Sequence, residues 1–316
     1  MRKPMLFIVP TVLLVLLLLP VQSGASEARD WGYHEVTTER RQIGDNPNAL
    51  IWTWGQFRGN YPLSIGVTFT NPALDDMFTA AFDSFPRALP HLTAPHLEPA
   101  RVYDLRFPDK VREKTPFDHM GWFANAEGHN PPFVFDVPHV DVHFFTITLE
   151  ERAAISGELD EKLLSYPSPG FLPADFCLPL IVPLGQCKTL PELTETDVPG
   201  SNDAEQGLHW VDSFAPELTG KPFEQIFIFG SYDGEVNFWE PMITKQFFEK
   251  VRSFLQDLES TEKTLDLIFA IKQPEQFLET SFYPTRYRIR YDADAGQFSV
   301  SLDNFVFRKA AQAGNP

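Results

Sequence analysis

The segment PFEQIFIFGSYDGEVNFWE, residues 222–240, limits the fold more than any other stretch of the chain. Two arms rich in β-branched and aromatic residues flank Ser231-Tyr232-Asp233-Gly234, and Asp-Gly is a favoured dipeptide for a tight hairpin turn. A second hairpin, YRIRYDADAGQFSVSLDNFVF, is predicted near the C-terminus with its turn at Ala293 to Gly296. Shorter runs predict two strands between Ile51 and Phe69, and others over residues 101–107, 117–123, 132–136 and 139–148. No internal repeat and no strand–helix alternation of the doubly wound kind occurs. The expected class is therefore α+β: a mostly antiparallel β-sheet, sandwich-like or barrel-like, with a few peripheral helices.

Three helices are expected around this sheet. Asn71-Pro72 predicts an N-cap followed by Pro at the first helical position, and Leu74, Met77, Phe78, Ala81 and Phe82 give residues 72–84 one apolar face. Thr148 and Glu151 fit a capping box for a short helix closing near Gly157. Thr244 caps a third helix with Phe247, Phe248, Val251, Phe254, Leu255 and Leu258 on one face. Pro86, Pro90, Pro95 and Pro99 mark an extended connection. Residues 167–199 are again Pro-rich and turn acidic at PELTETDVPGSNDAE, so a long loop excursion is expected there. Residues 26–50 read as an irregular N-terminal segment, 51–308 as one β-rich domain and 309–316 as a disordered tail.

Residues 1–25 read as a secretory signal peptide. Arg2 and Lys3 precede a run from Met5 to Val21 that is apolar except for Thr11, and Ser23 and Ala25 supply the small residues of a cleavage site. Pro10 and Pro20 interrupt the run, which is short for a membrane span. The expected location is periplasmic or extracellular, with no membrane association after cleavage. The chain carries 26 Lys+Arg against 43 Asp+Glu, a net charge of −17. That balance excludes nucleic acid, whose binding requires clustered cations. Two cysteines cannot staple 316 residues. In an oxidising compartment, however, Cys177 and Cys187 predict a local structural disulfide across the stretch FCLPLIVPLGQC.

Histidine is where chemistry concentrates. His119, His129, His139 and His143, four of the eight, fall within 25 positions, and the last two belong to DVPHVDVHFF. Alternation with Val and Phe makes this stretch a strand, placing Val137, His139, Asp141, His143 and Phe145 on one face. His-Asp-His on a face bounded by apolar residues is an unusual choice for a solvated surface. Residues two apart on a strand are roughly 6.6 Å apart and those four apart roughly 13 Å, so His139 and His143 reach one ion only through a bend or by leaning over Asp141. Either both bind with Asp141 orienting them, or Asp141 and one His bind directly with the other His behind. Further ligands must come from elsewhere: His129 in EGHNPP, His119 in FDHMGWF, His209 in GLHWVD and Glu240 in FWEPM. Imidazoles with a carboxylate suit a divalent transition metal (Zn, Mn, Fe or Cu), with Glu240 or Asp141 as ligand or general base.

Other motifs are weak or absent. The chain has no GxSxG, Gly-rich phosphate loop, HExxH, EF-hand loop or paired CxxC. Trp52, Trp54, Trp122, Trp210 and Trp239, with Asp118, Asp141, Asp233 and Glu240, supply the residue types of a sugar cleft.

The stretches TPFDHMGWFANAEGHNPPFVFDVPHVDVHFF, GLHWVD, FIFGSYDGEVNFWEPMIT and YPTRYRIRYD together resemble the TTHB-like proteins, a bacterial family with no assigned reaction. The likeness covers most of residues 115–305 in order, with WFANAEGH standing where the family carries an aromatic run around Asn-Pro. It implies a shared fold, export, a tendency to form homo-oligomers, and a shared site at His129, His139, Asp141, His143, His209 and Glu240. The expectation is an exported metal-binding protein, in its enzymatic form a metal-dependent enzyme acting on a small molecule. The alternatives are a non-catalytic oligomeric envelope or stress protein, and carbohydrate binding or hydrolysis.

Overall fold

The computed structural model describes residues 32–78, 101–129, 134–257 and 262–312. The leader, the second half of the first expected helix and the Pro86–Pro99 connection lie outside the described residues. The chain opens with β1 (Tyr33–Thr37), β2 (Arg41–Gln42), β3 (Leu50–Arg58) and β4 (Tyr61–Thr70). It then builds β5 (Arg101–Arg106), β6 (His119–Asn125), β7 (His139–Phe145), β8 (Phe176–Val182), β9 (Leu184–Thr189), β10 (Val198–Pro199), β11 (Asn202–Asp203), β12 (Gly207–Asp212), β13 (Gln225–Tyr232) and β14 (Glu235–Thr244). The last strands are β15 (Thr264–Ala270), β16 (Ser281–Asp292) and β17 (Gln297–Arg308).

Strands from the two ends of the chain make one sheet, in the order β1-β3-β4-β17-β16-β15 with β2 against β3. The middle of the chain makes the other, in the order β10-β8-β12-β13-β14-β7-β6-β5, with β11 beside β12 and β9 beside β8. All the pairings are antiparallel. The protein is thus β-rich with few helices, as the hairpin signals imply. Segment 26–50 is corrected: β1 and β2 lie within it, and β1 pairs along β3 from Tyr33↔Arg58 to Thr37↔Trp54. Its alternation is hard to read because one face is open to solvent and the other only half-buried.

The main core lies between the sheets. Val67 and Phe69 of β4, with Val300 and Leu302 of β17, meet Trp122, Val140, Val142, Phe144 and Trp239 from the other sheet. Phe69 is a hub, 4.8 Å from Trp122, 5.5 Å from Phe248 and 5.7 Å from Phe298 between ring centres. Such pairs add to the area term that makes each buried Phe worth about 1.5–3 kcal/mol.

Four short helices decorate this frame: α1 (Asn71–Asp76), α2 (Asp109–Lys114), α3 (Leu149–Ala153) and α4 (Lys245–Asp257). The cap of α1 is Thr70, whose side chain accepts from the Ala73 N–H, one residue before the expected Asn71. That helix ends at Asp76. The Thr148–Glu151 capping box on α3 is complete, and it explains why β7 stops at Phe145 and not at Thr148. Thr244 Oγ1 accepts from Phe247 N–H at 3.1 Å, starting α4 as predicted. Phe254, expected on its apolar face, points to solvent, while Phe248, Val251 and Leu255 are buried.

Two other expectations change. Val134–Asp136 forms no strand; the segment folds back, with His129 N–H donating to Phe135 O at 3.0 Å. The Pro-rich excursion contains the β8–β9 hairpin, and the Cys177–Cys187 disulfide clasps it across the strands, with Cα atoms 5.3 Å apart. The turn of the β13–β14 hairpin is Asp233-Gly234, both at positive φ (52° and 81°), between the paired residues Tyr232 and Glu235. One extra residue, Asn237, bulges from β14, where Gly230↔Phe238 follows Ser231↔Val236. Among the described residues, no helix is long and apolar enough to cross a membrane.

Removing the bridge with the paired change Cys177→Ala and Cys187→Ala should lower unfolding stability by about 2–3 kcal/mol, the entropy of freeing so short a loop. Urea denaturation reads this, and an unchanged midpoint would mean that the ladder alone holds the hairpin.

Candidate metal centre

Strand β7 lies between β6 and β14, and its two faces differ in chemistry. Val140, Val142 and Phe144 enter the main core. His139, Asp141, His143 and Phe145 take the opposite face, as the period of two predicts. On one side Phe123 pairs with Asp141 and Gly121 with His143. On the other, Met242 pairs with Asp141 and Trp239 with Phe144, so the register brings Glu240 opposite His143. Glu240 pairs in turn with Ile228, while His209 on β12 pairs with Gly230. Apolar groups bound this polar strip: Phe135, Phe223, Ile226, Ile228 and Met242 at one end, and Phe123, Phe145 and Phe238 at the other.

The strip resolves into two groups, each of two imidazoles and one carboxylate: His129, His139 and Asp141, then His143, His209 and Glu240. Within each, the ligand atoms lie within 4.8 Å of one another. All six residues expected at the site are therefore here; of the two expected arrangements, the one in which His139 and His143 share an ion over Asp141 does not form, and Asp141 instead groups with one of the two, His139. The flat strand keeps them four residues apart, and each recruits its own partners.

In the first group His139 Nε2 is 3.1 Å from Asp141 Oδ1 and His129 Nε2 is 3.4 Å from Asp141 Oδ2. Asn125, across the ladder on β6, donates its amide to Asp141 Oδ2 at 2.7 Å. His139 Nδ1 donates to the Val137 carbonyl at 2.6 Å, which fixes the tautomer, because a carbonyl only accepts. Nε2 then faces a carboxylate oxygen at 3.1 Å and, at 3.4 Å, the Asn125 amide nitrogen. Two acceptors in that position need a proton or a cation between them.

The second group repeats the device. His209 Nδ1 donates to the Ser201 carbonyl at 3.0 Å, and its Nε2 lies 4.0 Å from Glu240 Oε2. His143 Nε2 is 3.4 Å from the same oxygen. Gln206 places its amide oxygen, an acceptor, 2.9 Å from His209 Nε2 and faces His143 as well, without meeting hydrogen-bond geometry there. Among the described residues, neither nitrogen of His143, nor Glu240 Oε2, nor Asp141 Oδ1 finds a hydrogen-bond partner. Buried polar atoms are rarely left so, and these are four of the twelve such side-chain atoms among the described residues.

Electrostatics separates the groups. Burial alone would raise the Asp141 carboxyl, but the His139 and His129 imidazoles reverse this and hold it well below the usual carboxylate range. Glu240 is pushed well above that range by burial, with Asp141 and Asp203 adding to the shift. Burial also lowers His143 strongly, and His209 in the same direction. Neighbouring positions on one sheet face thus favour a charged carboxylate in one group and uncharged side chains in the other.

The remaining candidate, His119, joins neither group. It stacks on Phe145 at 4.8 Å between ring centres and lies 3.5 Å from Arg152 Nη1; burial and that guanidinium lower it to about 4. The sugar cleft does not assemble: Trp122, Trp210 and Trp239 are buried in the main core. Trp52 and Trp54 belong to the other sheet.

Several contributors had no sequence signal of their own. Asn125 and Gln206 become visible only once β6 and the β11–β12 turn are placed. Gly230 is required because an added Cβ would overlap the Phe238 ring, which packs 4.6 Å from His143 and 5.1 Å from His209. Gly121 serves likewise: a Cβ there would sit 2.7 Å from Phe123 and 2.9 Å from Phe145. No protein-family model, curated protein or solved structure matches the chain, so the site stands on its own geometry.

If the orphaned atoms await an ion and have no structural role, deleting them in metal-free protein should not harm the fold. His143→Leu, close in volume, is expected to raise metal-free stability by about 1–3 kcal/mol, the penalty of burying unsatisfied polar groups. Chemical denaturation in chelator measures it, and a loss of similar size would reveal a structural role.

Proposed function

We propose that this chain is an exported metal-binding protein whose His/Asp/Glu strip holds a divalent transition metal. The observation that carries the reading is the repeated arrangement at His139 and His209. Each ring is tied at Nδ1 to a backbone carbonyl, the outer support that metal-binding histidines characteristically have, and its Nε2 faces a buried carboxylate, 3.1 Å away at His139 and 4.0 Å away at His209, where the Gln206 amide oxygen lies nearer at 2.9 Å. Two imidazoles and a carboxylate suit Zn, Mn, Fe or Cu. Asp141 and Glu240 act as ligands in this reading.

His129 lies at the solvent edge, its side chain 31 % exposed. Three protein ligands and an open edge leave a coordination position for a small molecule, so a metal-dependent reaction, if the protein is an enzyme, belongs at the His129–His139–Asp141 group. The signal-like leader and the Cys177–Cys187 bridge support export. Kinship with the TTHB-like proteins belongs to the same proposal.

The test is calorimetric titration of Zn2+ into chelator-stripped protein prepared without a His tag. Stoichiometric binding is expected, and at a free concentration about a hundredfold above Kd each ion should add about 2.7 kcal/mol to stability. Asp141→Asn should weaken binding tenfold or more, by analogy with the roughly 10–100-fold cost of losing even an outer support. No binding heat, with an unchanged Tm in the presence of zinc, copper, manganese and ferrous iron, would overturn the reading.

A further inference from the structure

We propose that the strip holds two ions of different character: an exchangeable one at His129, His139 and Asp141, and a sealed, permanently resident one at His143, His209, Glu240 and Gln206. The inference depends on the metal-binding reading and goes beyond it in number, coordination and exchange.

Donor spacing argues for two ions. Two donors at about 2.1 Å on a tetrahedral ion are about 3.4 Å apart. The pairs within the groups measure 3.1 and 3.4 Å in the first, and 3.4 and 4.0 Å in the second. The groups are set by Asp141 and His143, two positions apart on an extended strand and so roughly 6.6 Å apart at Cα. Each carboxylate serves two imidazoles of its own group, and none of these contacts crosses from one group to the other.

Coordination and access argue for different characters. The first group has three protein donors, and its outer ring, His129, reaches solvent. Beside it a cleft of about 600 Å³ is lined by Val137, Pro138 and Phe223, and the last two residues border His139 in sequence or by ring contact at 5.4 Å. The second group has a fourth donor, the Gln206 amide oxygen, next to His209 and facing His143. Four protein donors make the closed shell of a structural site, whereas three leave the position that catalytic sites keep open.

The second group is also the more enclosed: His143 and Glu240 are almost wholly buried, and the His209 side chain is 12 % exposed against 31 % for His129. Phe123, Phe145 and Phe238 pack around His143 at 4.5, 5.4 and 4.6 Å between ring centres. Gln206 lies against His209 and is itself buried. Its backbone is pinned from both flanks: Asn237, the bulged residue of β14, donates to Gln206 O at 2.7 Å, and Arg152 Nε donates to Glu205 O at 3.2 Å. Asn202 donates to Gly157 O at 2.9 Å and holds the start of the same turn. An ion there leaves only when this turn opens against several buried hydrogen bonds, whereas the first group needs no such opening.

The test uses the full mature chain, stripped of metal under mildly destabilising conditions, reloaded with zinc, desalted and analysed for zinc and protein. Two ions per chain are expected. Challenge with excess of a chromogenic zinc chelator should then release one ion in a fast phase and the other at least roughly a hundredfold more slowly, the ratio set by the opening equilibrium. Asp141→Asn should keep only the slow ion and Glu240→Gln only the fast one. Gln206→Ala should retain two ions but speed the slow phase. A single ion per chain in the wild type overturns the inference and leaves the metal-binding reading intact. Two ions released in one phase overturn the sealed character. Uptake of none overturns both. The wild-type count and kinetics decide the matter even if a variant fails to fold.

Discussion

Strand β7 is buried on both faces, and everything else in the molecule is arranged around that constraint. One face must be apolar because it closes the main core against β4 and β17, and Val140, Val142 and Phe144 meet that demand. Among the described residues no second sheet covers the other face; loops, α3 and the β11–β12 turn do so, and beneath them lie imidazoles and carboxylates. The main-core face supplies the free energy that lets the polar face exist. Aromatic packing around Phe69, Trp122 and Phe144 stabilises the sheet strongly enough to tolerate orphaned polar atoms a few ångströms away.

Much of this was legible in the sequence, for identifiable reasons. The period of two in HVDVHFF is strict, so the face carrying His139, Asp141 and His143 could be read directly. Asp233-Gly234 announces its turn because few other dipeptides accept two positive φ values in succession. Thr148-x-x-Glu151 announces a helix start because the cap is reciprocal and local. The site's division into two groups was not legible, since it depends on which strand lies beside β7 and in what register. Glu240 is nearly a hundred residues from His143 in the chain, and only the β7–β14 ladder brings them opposite. The Pro-rich segment concealed a hairpin because Pro179 sits inside β8, where proline is normally excluded, and the break in the β8–β9 register between Pro179 and Ile181 is what tolerates it. Thr70 and Asn71 are both good caps, so the displacement of the α1 boundary by one residue is what adjacent competent residues produce.

The two groups show how one strand can present unlike environments at adjacent positions. Asp141 is bracketed by two rings and an amide, all able to favour its charge, and stays ionised despite burial. Glu240 faces rings that burial keeps neutral, with Asp141 and Asp203 as further negative neighbours. The difference arises from what neighbours supply rather than from depth, since both carboxylates are almost wholly buried.

Asn237, the extra residue on β14, sets the phase between the hairpin turn and the site. Side chains alternate along a strand, so an odd insertion exchanges the two faces for everything beyond it. If the bulge were ironed out while the Asp233-Gly234 turn held its place, Trp239 would rotate onto the polar strip and Glu240 into the aromatic core. The composition would be unaltered and the strand would still pair, but the carboxylate would be on the wrong side of the sheet. In this molecule the side on which a carboxylate stands is therefore written in the parity of a strand as much as in the residue that occupies it.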